Sequence, residues 1–135
     1  MLRINVWIST NGLKQTAYSE FEFPYNAISV VSNKRRVFNN IEDVYDEIVE
    51  LYNISKEQGY EIGKSLYAQC AFFTSYERLL DSKHQITIKE YNYCKTFNCS
   101  LYPSMQETPS SKIDDFMIIE QEYQSCVNKE QNGKN

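Results

Sequence analysis

Residues 41–82, IEDVYDEIVELYNISKEQGYEIGKSLYAQCAFFTSYERLLDS, decide the fold, because two helical patterns follow one another inside them. Asn40 stands before the first as an N-cap, with Asp43 three residues on in a capping-box arrangement. Ile41, Val44, Tyr45, Ile48, Leu51 and Tyr52 recur at helical spacing and form a stripe to be buried. The opposite face carries Asp43, Asp46, Glu47 and Glu50, an acidic binding face if it is used at all. Their spacing would serve a divalent metal only if the carboxylates converged in a recess, and the sequence offers no such recess, so no metal is assigned.

Ser55 and Gln58 form a second capping box, so a new helix is expected from Lys56, unless the two run together with a bend. Gly59 and Gly63 are four apart, and each costs about 1 kcal/mol in a helix relative to Ala, so the pair suggests a close approach by another element. Tolerated glycines are the plainer alternative. Ile62, Leu66, Phe73, Tyr76 and Leu80 make one stripe, widened by Tyr67, Cys70 and Phe72. So broad an apolar surface predicts the central helix of the core, closing at Asp81-Ser82-Lys83. Phe73 is expected to be among its most costly residues to truncate.

Toward the N-terminus, Lys34, Arg35 and Arg36 form a polar basic turn just upstream of a helix start. They are read as a solvated loop or as an anion contact. AISVVS, residues 27–32, reads as a strand, and Pro24 as the end of the strand before it. In residues 2–10, Leu2, Ile4, Val6 and Ile8 alternate with Arg3, Asn5, Trp7 and Ser9, the period-two pattern of a half-buried strand. Asn11-Gly12 then predicts a two-residue hairpin turn that sets Arg3 opposite Glu20.

Toward the C-terminus, the single histidine, His84, is a junction residue without an evident catalytic partner. Residues 85–92 alternate around Ile86 and Ile88 and predict a further strand, with a hairpin near Lys95 or Asn98. The cysteines at 70, 94, 99 and 126 lack the paired CxxC spacing of structural zinc sites and read as free thiols. Residues 103–111 are a loop, and Ser111 can cap a last helix carrying Ile113, Phe116, Ile119 and Tyr123. A strand is the alternative for the apolar run at 116–119. Residues 128–135 form a polar tail that is expected to fray.

The expected fold class is α+β, a small antiparallel sheet from the N-terminal hairpin plus later strands, packed on two or three helices. A chain of 135 residues with 41% hydrophobic content fits one globular domain over residues 1–127. A net charge of -4 argues against general nucleic-acid binding, and no stretch is apolar enough to span a bilayer. No apolar leader is visible, which favours a cytoplasmic chain with reduced thiols and accidental glycosylation sequons at Asn53 and Asn98. No cofactor is expected.

The eleven tyrosines suit half-buried and interfacial positions. The expected function is therefore a small non-catalytic binding or regulatory protein with a protein partner. Abundant Asn, Lys and Ile would accord with an inhibitor of a host factor carried by a phage or other mobile element. Two alternatives remain. One is a metal-assisted hydrolase or nuclease drawing on Asp43, Glu47, Glu50 and His84; the other is a virion or assembly component whose aromatic patches are buried on oligomerisation.

Overall fold

A computed structural model describes residues 1–133, with side chains described to 129. Among the described residues, six helices and one two-stranded antiparallel sheet make an α+β fold: α1 (Leu2–Asn11), β1 (Tyr25–Ile28), β2 (Arg35–Phe38), α2 (Ile41–Gln58), α3 (Ile62–Cys70), α4 (Tyr76–Leu79), α5 (Ser82–Phe97) and α6 (Ser110–Gly133). Among the described residues no helix is long and apolar enough to cross a membrane.

Residues 2–11 form helix α1, where the sequence pattern predicts a hairpin strand and its turn. Apolar residues at 2, 4, 6 and 8 satisfy a period of two, but a helix enclosed on several sides accommodates them equally well. Trp7 and Asn5 discriminate, since the strand places both in solvent and both are fully buried. Ile4, Trp7 and Ile8 enter one core cluster while Leu2 and Val6 enter a second, so α1 is the wall between two cores. Burial on both sides outweighs the modest helix propensity of its β-branched residues.

Asn5 is affordable in the interior because all its bonding capacity is used. Its Nδ2 donates to the carbonyls of Met1 at 2.9 Å and Leu79 at 3.1 Å, and its Oδ1 accepts from Asp81 N at 3.2 Å and Gln85 Nε2 at 2.9 Å. Gly12 does supply positive φ (81°), yet as the residue ending α1, with its N–H on the Ile8 carbonyl at 2.8 Å. Arg3 therefore never meets Glu20. Its Nη1 donates to Glu122 Oε1 at 2.7 Å and Gln121 Oε1 at 3.2 Å, both on α6.

The sheet that does form is β1 against β2, in the register Tyr25↔Phe38, Asn26↔Val37, Ala27↔Arg36 and Ile28↔Arg35. Pro24 stands immediately before β1, and not at the end of an earlier strand. Tyr25, Ala27 and Phe38 face the core, where the Tyr25 and Phe38 rings stack at 5.4 Å and Phe38 stacks on Phe73 at 5.8 Å. Tyr25 also donates from its hydroxyl to the Phe73 carbonyl at 2.7 Å. One row of rings thus fastens the small sheet to the turn after α3.

The capping expected of Asn40 is present, its Oδ1 accepting from Asp43 N at 3.1 Å. The interruption expected at residues 53–55 is absent. Neither Pro nor Gly lies there, so α2 runs on to Gln58 and stops at Gly59, whose φ of 72° is left-handed. Ser55 is not a cap; it is buried inside α2, with its hydroxyl 3.0 Å from that of Ser65 on α3.

The long central helix expected through Ser82 is also divided. α3 ends at Cys70, and Phe73 is fully buried in the connecting turn, not on a helix. Asp81, read as a helix stop, is the N-cap of α5, accepting from Lys83 N at 2.8 Å. Residues 85–92 are accordingly helix and not strand, with Thr87, Ile88 and Tyr91 facing inward. The last element is the expected helix, α6. It continues through residues 128–133, and the end of the expected tail, residues 134 and 135, lies outside the described residues.

Candidate interaction face

The four carboxylates read as one acidic face do not share one environment. Asp46 and Glu50 are exposed, as is Glu42 one turn earlier. Asp43 is half-buried and committed to the helix start, its Oδ2 accepting from Asn39 N at 2.8 Å. Glu47 is fully buried, which corrects its placement on the outer face. Its Oε1 accepts from the Ser29 hydroxyl, and its Oε2 lies 3.4 Å from Arg36 Nη1. The Ser29 hydroxyl in turn accepts the N–H groups of Val31 and Ser32 at 3.2 Å each. Glu47 is thus the anchor that ties the β1–β2 turn to α2, a role that helical spacing alone could not reveal.

Truncation separates the two kinds of carboxylate. Glu47→Ala is expected to destabilise by about 2 kcal/mol, because it strands a buried hydroxyl and a half-buried guanidinium. Glu50→Ala should stay within about 0.5 kcal/mol of the parent. Urea denaturation measures both, and equal costs would return Glu47 to the surface.

The basic residues expected as one turn are also divided, since Lys34 lies in the turn and Arg35 and Arg36 in β2. Arg36 is spent on Glu47 and lies over the Phe38 ring at 5.3 Å, while Lys34 and Arg35 stay exposed. The first turn of α2 carries Glu42 and Asp43, whose charges oppose an anion at that helix start. Lys34 and Arg35 therefore stand without the helix terminus that an anion contact would recruit.

Asp43, Glu47, Glu50 and His84 do not converge. The three carboxylates point to a helix cap, the interior and solvent, and His84 lies on α5 with Asp81 Oδ2 at 3.9 Å. Burial lowers the His84 pKa from its ordinary value, with Asp81 opposing the shift. Among the described residues, no three His, Cys, Asp or Glu side chains are grouped to hold a metal ion.

A second buried carboxylate, missed in the sequence, belongs to Glu122 on α6. Its Oε2 accepts from Trp7 Nε1 at 2.6 Å and its Oε1 from Arg3 at 2.7 Å, so both oxygens are engaged. It rests against Gly63 of α3, where a Cβ would fall 1.9 Å from Oε2. Gly63 is hence a place of close approach, whereas Gly59 only ends α2 and has open space around it. A cavity of about 290 Å³ lies beside this clamp, lined by Arg3, Tyr60, Glu61, Gln121 and Ser125 among others. Arg3 and Glu122 pair with one another there, and the clamp joins α1, α3 and α6.

What α2 presents outward is a mixed surface. Val49 is 57% exposed and Tyr52 37%, and with Tyr45, Ile48, Leu66 and Met1 they line an apolar cavity of about 140 Å³ between α2 and α3. On a helix, residues three and four apart are neighbours, so Asp46 adjoins Val49, Glu42 adjoins Tyr45 and Asp46, and Glu50 adjoins Asp46. The result is an apolar cavity flanked by the exposed carboxylates of Glu42, Asp46 and Glu50, which make no ion pair among the described residues. Val44, Ile48 and Leu51 of the expected stripe are buried as expected, while Tyr52 at its edge is exposed. No family model, no curated protein and no solved structure matches the chain.

Proposed function

We propose that the chain is a non-catalytic binding or regulatory protein of the cytoplasm, acting by protein–protein contact through the outer face of α2. The observation that carries this reading is the apolar socket beside Glu42, Asp46 and Glu50. A socket of that size takes a single anchor, and contacts of this kind draw most of their affinity from one buried apolar side chain while charges at the rim set approach and orientation. The complementary partner segment carries one Leu-, Ile-, Met- or Phe-sized anchor with Lys or Arg about one helical turn away. The acidic row disfavours nucleic acid at this face. An inhibitor of a host factor fits this mode of action.

Assembly is the second reading, and a separate observation favours it. Ile86, Tyr93 and Phe97 form an exposed stripe on α5, nearly opposite the face that buries Ile88 and Tyr91. One set of variants separates the two. Asp46→Lys with Glu50→Lys is expected to weaken capture of the partner by about tenfold, equivalent to about 1.4 kcal/mol. Tyr93→Ala with Phe97→Ala should leave capture unchanged. Capture lost only in the α5 variant, together with a fall in molar mass by light scattering, would establish assembly in place of the α2 contact.

A further inference from the structure

We propose that Cys94 and Cys99 are a reversible redox pair, a dithiol that small-molecule disulfides convert to an intrachain bridge at the end of α5. The pairing follows from how that helix stops. α5 ends at Phe97, and Asn98 takes the left-handed conformation (φ 50°, ψ 50°). The N–H of Asn98 and that of Cys99 both return to the Cys94 carbonyl, the latter at 3.1 Å. The Cys99 bond is the six-to-one bond of a Schellman motif, in which the residue after the left-handed position folds back on the residue five before it, and their side chains commonly touch. Here both of those positions are cysteine. The backbone bond holds the two residues side by side, and both thiols are free.

The two thiols are not equivalent. Cys99 is exposed, and Cys94 is half-buried. Burial holds the Cys94 thiol above its ordinary range, with the adjacent Cys99 as a further cause. Cys99 thus meets a reagent first, and Cys94 resolves the adduct, the arrangement expected of a redox-sensing pair. The remaining two cysteines do not compete. Cys70 and Cys126 are buried, and burial pushes the Cys70 thiol up to about 12.

The step balances as thiol–disulfide exchange. The Cys99 thiolate attacks one sulfur of a small disulfide RSSR, the S–S bond breaks, and one RS⁻ leaves. Cys94 gives its proton to solvent and its sulfur attacks Cys99, expelling the second RS⁻. Two protein thiols are oxidised and one RSSR is reduced to two thiols, and excess RSH reverses the exchange. The bridge fixes the turn directly beyond Tyr93 and Phe97, the exposed aromatic end of the α5 stripe.

The full chain is incubated with oxidised glutathione, quenched in acid, alkylated and read by intact mass and peptide mapping. The expected wild-type product carries two fewer alkyl groups than the reduced control, links residues 94 and 99, and reverts with reduced glutathione. Cys94→Ser should instead hold a persistent glutathione adduct on Cys99, at least about tenfold more abundant than in wild type. Cys99→Ser should leave Cys94 largely unmodified over the same time. Circular dichroism checks that each variant is folded, and Cys94→Ala replaces Cys94→Ser if that one is not. A stable adduct on wild type at the Cys94→Ser level, a dimer linked through Cys99, or a bridge to Cys70 or Cys126 would overturn the proposal.

Discussion

Gly63→Ala is expected to destabilise the protein by about 2–4 kcal/mol, although alanine is ordinarily the better helix residue by about 1 kcal/mol. The added methyl would sit 1.9 Å from Glu122 Oε2 and 2.5 Å from Cδ. A carboxylate on a free surface would swing away at little cost. This one is nearly fully buried and held at both oxygens, so moving it leaves the Trp7 N–H without an acceptor and Arg3 without its carboxylate. In a Glu122→Ala background the obstacle is gone, and Gly63→Ala should become neutral or stabilising by up to about 1 kcal/mol. Urea denaturation of the four proteins in this cycle gives the coupling directly. The same cost in both backgrounds would show that Glu122 and Gly63 do not meet.

Phe73→Ala is expected to cost about 3–5 kcal/mol, the range for a fully buried aromatic that leaves a cavity behind. Phe73 has more than ring packing to lose. It is the last ring in the stack that runs through Phe38 to Tyr25, and the turn it occupies offers its carbonyl to the Tyr25 hydroxyl. Its neighbour provides an internal control, because Phe72 is 66% exposed and Phe72→Ala should stay within about 0.5 kcal/mol of the parent. Thermal melts should therefore fall by about 10 °C or more for one phenylalanine and hardly at all for the next. Similar shifts for both would mean that the sheet is not fastened through this turn.

What the sequence made legible was whatever depends on local chemistry. Asn40 caps α2, the stripe of Val44, Ile48 and Leu51 is buried, and the α+β class with a small sheet on helices is the architecture observed. Illegible were the features set by packing between distant segments. Residues 2–10 alternate as a strand would, and only the enclosure of α1 between two cores makes the buried Trp7 and Asn5 consistent with a helix. Ile86 and Ile88 misled in the same manner, since one faces solvent and the other the core on successive sides of α5. Asp81 can end one helix or begin another, and its bond to Lys83 N decides for the second.

The candidate face was legible in part for a related reason. Spacing placed Asp43, Asp46, Glu47 and Glu50 on α2 correctly, but Glu47 points at a turn 18 residues earlier in the chain, a partner no helical pattern can specify. Glu122 gave no signal either, lying in a helix whose pattern was carried by Ile113, Phe116 and Ile119. Its companions, Arg3, Trp7 and Gly63, come from two other helices. The one cue available was Gly63 itself, a glycine inside a helix with no turn to make.

The claim that the outer face of α2 is the working surface is tested most directly by a photo-crosslinking residue at position 49, with position 97 on α5 as the comparison. Position 49 is expected to form an adduct with a basic segment of a partner protein, in a yield that Asp46→Lys with Glu50→Lys lowers by about tenfold at limiting partner, and position 97 is expected to form none. Adducts arising from position 97 alone, or adducts at position 49 indifferent to both charge reversals, would contradict it.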